Sequence, residues 1–143
     1  MITLEEPQES AIQTATVVDK IEAFIDKNMV KVEFPLKHVF TKGLYSRIMF
    51  IPAGGILVGR IHKFEHQFVV SQGEICVIDE LTGKKEFIKA PYHGITEAGA
   101  RRAGFAITDT IWATFHVTEL TNPDEIVEKF TDYPSNPLIK KLQ

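Results

Sequence analysis

GGILVGRIHKFEHQFVVSQG, residues 54 to 73, holds two short apolar runs between glycine turns and sets His62 and His66 beside Arg60. Alternation along an extended chain puts Ile56, Val58, Arg60 and His62 on one face of a strand, and His66, Phe68 and Val70 on one face of the next. Two imidazoles at this spacing suit a metal ion. Imidazole with guanidinium suits an anion, so this stretch poses the functional question as well as the structural one.

The punctuation seen here runs from Val32 to Leu120. Lys42-Gly43, Pro52 to Gly55, Gln72-Gly73, Thr82-Gly83, Ala98-Gly99 and Thr108-Asp109 separate short runs rich in β-branched and aromatic residues. That pattern predicts a mainly β, antiparallel sandwich or barrel. The segment DELTGKKE reads as a solvated hairpin. Before the β region, Val17, Val18, Ile21, Phe24 and Ile25 recur at helical spacing with Thr14 or Thr16 available as N-cap, which predicts a short amphipathic helix against the sheet. After it, Asn122-Pro123-Asp124 opens a second short helix, DEIVEKF, with acids in its first turn. The expected division is an arm over 1–13, flexible or packed on another subunit, a barrel with its preceding helix over 14–120, and a helix with an extended tail over 121–143.

With 143 residues and 44% hydrophobic content, the chain builds one core. A formal charge of −3 gives no global basic field, which argues against nucleic-acid polymers and anionic membranes as partners. Any anion must be met locally. The single cysteine, Cys76, forms no intrachain disulfide; within EICVID it reads as a small core residue. Without a signal-like N-terminus or a long apolar run, the expected location is the cytoplasm.

Gly54, His62 and Gly73 fall at the intervals of the first cupin motif, in which two histidines one residue apart precede a glutamate. Arg60 stands at the first histidine position and His66 at the glutamate. For the second motif, Pro91, Glu97, Gly99, Arg102 and Ala106 fall at the intervals, with Gly99 alone matching in identity. The chain therefore resembles the cupin superfamily over residues 36 to 118. PLKHVFTKGLYSRIMFIPAGG, IHKFEHQFVVSQG and RRAGFAITDTIWATFH are also similar to small cupins encoded by tailed phages and prophages. The resemblance implies a jelly-roll barrel whose interior carries Arg60, His62, His66 and Arg102 where a metal-bearing cupin carries three histidines and a carboxylate.

Guanidinium is permanently charged, donates no lone pair and repels a nearby cation. Two arginines at ligand positions favour an anionic, phosphate- or nucleotide-like ligand held by charge-assisted bonds. Phe68 and Trp112 would contact its apolar part, and Tyr45 and Arg47, on one strand face, would extend the pocket or lie exposed. The first reading is a non-catalytic anion pocket with no cofactor, in a phage protein that sequesters a host nucleotide signal in the host cytoplasm. The second is a metal-dependent enzyme of isomerase, epimerase or dioxygenase type, using a divalent transition metal on His62 and His66 with His93 or His116. The third is a structural or virion-associated module. A homo-oligomer is expected from the two terminal arms.

Plainer roles compete for the same residues. Arg60 and Arg102 pair with Glu65, Glu74 or Glu97 in a structural account, and His62 and His66 become satisfied core histidines. His38 is structural or exposed, and Trp112 is core. No phosphate-binding Gly-rich loop, GxGxxG, HExxH or GxSxG occurs, which removes the common nucleotide-hydrolase and serine-hydrolase readings.

Overall fold

Two antiparallel sheets facing each other account for most of the chain, in a computed structural model that describes residues 14–139. The expected arm over 1–13 and the last four residues of the tail lie outside the described residues. Strands β1 (Leu36–Thr41), β2 (Leu44–Ile51), β10 (Thr110–Val117), β5 (His66–Gln72) and β8 (Tyr92–Thr96) form a five-stranded sheet in that order. Strands β3 (Ile56–Val58), β9 (Arg102–Ala106), β6 (Glu74–Asp79) and β7 (Lys85–Lys89) form the second. β4 (Ile61–His62) and β11 (Thr131–Asp132) make a short pair at one end.

The inner faces follow from register. In the first sheet Ile51, Phe68 and Val70 point inward; in the second Ile75, Val77, Ile88 and Ala106 do so, and together they form the main buried cluster. Each of the valine, isoleucine and phenylalanine side chains contributes about 1.5–3 kcal/mol by leaving water. Gly73, at φ +89°, turns β5 into β6 and passes so close to Asp109 that a Cβ would sit 2.2 Å from its carbonyl oxygen. Only glycine fits that position without rearrangement.

Both expected helices form. α1 (Val17–Asn28) starts at a capping box: the Thr16 hydroxyl accepts from the Asp19 amide and the Asp19 carboxylate accepts from the Thr16 amide, each at 3.0 Å. It packs on β3 and β9, burying Val18 but leaving Val17 and Phe24 exposed, so its apolar stripe is only partly used. α2 (Pro123–Phe130) is capped by Asn122 and buries Ile126 and Phe130 against Tyr45, forming a second, smaller cluster. No helix among the described residues is long and apolar enough to cross a membrane.

Two expectations about faces need correction. The strand expected to run through Arg60 is broken between Val58 and Ile61. Leu57, opposite Gly104, packs on the core, so Ile56 and Val58 point outward. The break then restores His62 to the interior, because a one-residue slip exchanges the faces of everything that follows. Cys76 also faces outward: it pairs across to Phe87 and Phe105, both exposed, and is half-buried, not core.

Candidate anion site at one end of the jelly roll

The inner face of the five-stranded sheet changes character along its length. At one end Trp112 stacks on Phe68, with ring centroids 4.4 Å apart and planes within 5°, over Val70 and Ile51. At the other end the same alternation delivers Tyr45 and Arg47 from β2, His66 from β5 and His116 from β10. His62 arrives from β4, and Arg102 from the opposite sheet.

The three imidazoles lie in a row. Centroids of His62 and His66 are 4.5 Å apart and those of His66 and His116 are 4.6 Å apart. His116 continues to Phe130 at 5.1 Å and Tyr45 at 6.2 Å, and the Tyr45 hydroxyl shares a 2.6 Å hydrogen bond with His38 Nδ1. Arg102 lies over the Phe68 ring at 5.2 Å and donates to Thr96 Oγ1 at 3.1 Å. Among the described residues, neither Arg47 nor Arg102 forms an ion pair with a carboxylate.

Burial and like charge act together on these groups. His62 is driven down to about 4, first by burial and then by His66, His116, Arg102 and Arg47. His116 falls to about 4 through burial, His66 and Arg47. His66 is lowered by burial and by Arg102, against the opposing pull of the Phe64 carbonyl. Burial lowers Arg47 and raises Tyr45, each offset in part by the other. At neutral pH the imidazoles are therefore uncharged. His62 Nδ1 is buried without a hydrogen-bond partner among the described residues, an unmet demand of the kind a bound group satisfies.

The structure thus brings together His62, His66, Arg102, Phe68, Tyr45, Arg47, Trp112 and His116. It does not bring Arg60 or His93 to them. Arg60, at the strand break, stacks outward on Tyr133 at 4.1 Å. His93 is exposed on the outer face of β8, where it hydrogen-bonds Gln67 Oε1 at 2.8 Å. The pairings of Arg60 and Arg102 with Glu65, Glu74 or Glu97 do not occur among the described ion pairs. Arg101, which sequence reasoning passed over, takes the structural role instead. Fully buried, it meets Asp19, Glu22 and Glu80 at 2.8–2.9 Å. The signal was present: adjacent arginines on a strand face opposite sides, and Asp19 and Glu22 lie one helical turn apart.

A metal ion, which the cupin fold commonly holds, does not fit this donor set. Among the described residues no group of three or more His, Cys, Asp or Glu is arranged to hold one. The imidazoles have two guanidinium groups as neighbours and no carboxylate to offset a divalent charge. From outside, a groove of about 730 Å³ lined by Phe64, Val69, Ile95, Phe115 and Phe130 leads to His66 and His116.

No family model matches the sequence, and no curated protein matches it. Solved structures do share its fold. An uncharacterized conserved protein with a double-stranded beta-helix domain from Klebsiella pneumoniae superposes with a TM-score of 0.53 at 14% identity, covering 68% of this chain and 90% of that one. KdgF from a Halomonas species gives 0.52 at 17% identity, over 67% and 88%. An RmlC-like cupin from Shewanella frigidimarina gives 0.50 at 16% identity, over 66% and 85%. At such identities the likeness concerns architecture alone: the chain has the jelly-roll fold of the cupins.

Proposed function

We propose that this protein is a non-catalytic binder of a small anion, held at the inner end of the jelly roll by Arg47 and Arg102 with His62, His66 and His116. One observation carries the reading: two guanidinium groups with no carboxylate partner among the described residues stand beside three imidazoles, one of which has a buried nitrogen with no partner among those residues. When the site is empty, burial and the two guanidinium charges both act against protonation of these imidazoles. An anion offsets those charges. It accepts charge-assisted bonds from the arginines and favours protonated imidazole, so binding takes up protons. Arg102 rests on the buried Phe68 ring, itself stacked on Trp112, and this aromatic floor extends the proposal to a nucleotide-like phosphate. The proposal extends to the sequestration of a host nucleotide signal by a phage-encoded protein.

A thermal-shift screen tests this with inorganic phosphate, nucleotides and dicarboxylates, run on the native protein and on Arg47→Met and Arg102→Met. Anion at a hundredfold over its dissociation constant adds about 2.7 kcal/mol to the native protein. Both variants lose that gain. A shift that persists in both variants, or none with any anion in the native protein, overturns the reading and leaves a structural module. The metal-dependent alternative has one observation in its favour, the third imidazole supplied by His116. Elemental analysis decides it: a stoichiometric transition metal whose removal lowers the melting temperature establishes that reading in place of this one.

A further inference from the structure

β1 is an edge of the five-stranded sheet, and register sets Leu36 opposite Met49, His38 opposite Arg47 and Phe40 opposite Tyr45, all on the side that faces the core. Leu36 and Phe40 are nonetheless exposed and His38 is half-buried, so among the described residues the inner face reaches solvent along β1. The anion pocket therefore continues past Arg47 toward this edge. Opposed residues of an antiparallel pair hold their Cβ atoms about 4.5–5.5 Å apart, which makes His38 the next polar group in line. Its ring stacks on Tyr45 at 5.8 Å and on Phe40 at 6.5 Å. Its Nδ1 shares the 2.6 Å hydrogen bond with the hydroxyl of the buried Tyr45. A phenol that donates to Nδ1 leaves the imidazole proton on Nε2, which can then donate to an anion. Among the described residues neither His38 nor Arg47 pairs with a carboxylate.

We infer that Arg47 and His38 form a second anion subsite, so that the ligand carries two anionic groups joined by a short link, as in a diphosphate or a malonate-like dicarboxylate. The inference rests on the anion reading above: the inner group lies between Arg102 and Arg47 beside the imidazole row, and the outer one beyond Arg47 at His38. Extent argues for two groups. Arg102 lies over Phe68, and the pairings of Phe68 with Thr114, Thr114 with Arg47 and Arg47 with His38 carry the row across three strand spacings of ~4.8 Å, roughly 14 Å in all. A single tetrahedral anion, with charge-assisted bonds of about 2.8 Å on either side, cannot touch both ends. The chemistry argues the same way. A guanidinium presents a planar fork of N–H donors, so Arg47 can serve one group on each side of it. Tyr45 then acts as a positioning residue, because its hydroxyl sets the tautomer of His38.

Isothermal titration calorimetry on the full chain at neutral pH and constant ionic strength tests this, with inorganic phosphate against pyrophosphate and acetate against malonate. At least one of the linked anions is expected to bind roughly tenfold tighter or more than its single counterpart, the worth of added hydrogen bonds to a charged group. The pair that shows the step tells phosphate from carboxylate. His38→Phe keeps the ring stacks and should remove most of that preference. His38→Phe combined with Tyr45→Phe should do the same without leaving a buried hydroxyl unpaired, while His93→Phe, on the outer face of β8, should leave the preference intact. Circular dichroism checks that each variant folds. Arginine-dependent phosphate binding with no gain for pyrophosphate or malonate overturns the inference and leaves the single-anion reading standing. A gain that survives in both His38 variants overturns it too, because charge alone then accounts for the preference. Absence of any anion binding by the native protein removes that reading and this inference together.

Discussion

Arg101 and Arg102 are neighbours in sequence and opposites in circumstance. The first stands just before β9, is fully buried, and is surrounded by Asp19, Glu22 and Glu80. The second turns inward, rests on the Phe68 ring and forms no ion pair with an acid among the described residues. Burial alone lowers the pKa of Arg101, but Glu80, Asp19 and Glu22 outweigh it and raise the net value. Arginine is thus used in two ways within two residues. Where its charge is met by the protein it fastens helix to sheet, and where it is not, it keeps an unmet charge for something else to meet.

The largest expected effect breaks the first half of that contrast. Arg101→Met leaves three carboxylates, Asp19 nearly fully buried among them, without their cation. Removing one side of a buried ion pair costs about 3–5 kcal/mol, a loss of roughly 10 °C in melting temperature for a domain of this size. α1 and the tail feel it directly, because Asn136 Nδ2 donates to the Asp19 carbonyl and to Glu22 Oε1 at 2.9 and 3.0 Å. Thermal denaturation measures the loss, and Asp19→Asn in the same chain should recover part of it. If Arg101→Met melts within a degree or two of the native protein, the cluster is not the clamp described here.

Arg102→Met sharpens the other half. Without an ion pair to break, it should change the stability of the ligand-free protein by less than about 1 kcal/mol in either direction. What it removes is the response to phosphate, up to the ~2.7 kcal/mol expected at a hundredfold excess over the dissociation constant. The two arginines then separate cleanly on one plot of melting temperature against anion concentration. Arg101→Met lowers the curve without changing its rise, while Arg102→Met keeps its starting point and flattens it.

Acid probes the same pocket through its imidazoles. His62 and His116 titrate near 4 in the folded protein and near 6.5 once unfolded. Between those values the unfolded chain binds more protons, so stability rises with pH there. It is fully present above about 6.5 and declines as the pH falls toward about 4. His62→Asn should flatten the decline. Saturating phosphate should flatten it too, because an anion raises the imidazole pKa values, and its affinity should increase as the pH is lowered from 7 to 5. Urea unfolding across that range, with and without phosphate, measures both. A decline unaffected by either change would place its origin in other groups.

Much of this was legible beforehand. Turn dipeptides and short β-branched runs gave the antiparallel class, and the spacing of Gly54, His62, His66, Gly73 and Arg102 gave the jelly roll. Strict alternation gave Tyr45 and Arg47 a shared face, and it places His116 on the face of Trp112. What alternation does not reveal is where it stops. The break between Val58 and Ile61 is marked in the sequence only by Gly59, and it exchanges the faces of the residues that follow it. The second arginine of the pocket is therefore Arg47, held in register by Thr114 and His38 on the neighbouring strands, and not Arg60. Arg101 was overlooked for a different reason. Its partners are 82, 79 and 21 residues away, and the packing of α1 on β9 together with the β6–β9 pairing joins them.

The smallest effect makes the sharpest test of that reassignment. Arg60 and Arg102 held equivalent places in the motif spacing, so a pocket built on spacing alone loses its anion equally with either. In the structure Arg60 lies over the exposed ring of Tyr133, a contact worth about 0.5–1 kcal/mol at such a site. Arg60→Ala should therefore lower stability by no more than that and leave the midpoint of the phosphate titration unchanged, while Arg47→Met moves it as far as Arg102→Met does. If Arg60→Ala abolishes the phosphate response and Arg47→Met spares it, the chain closes its pocket around the strand break, and the contrast between paired and unpaired arginines has to be redrawn with Arg60 on the binding side.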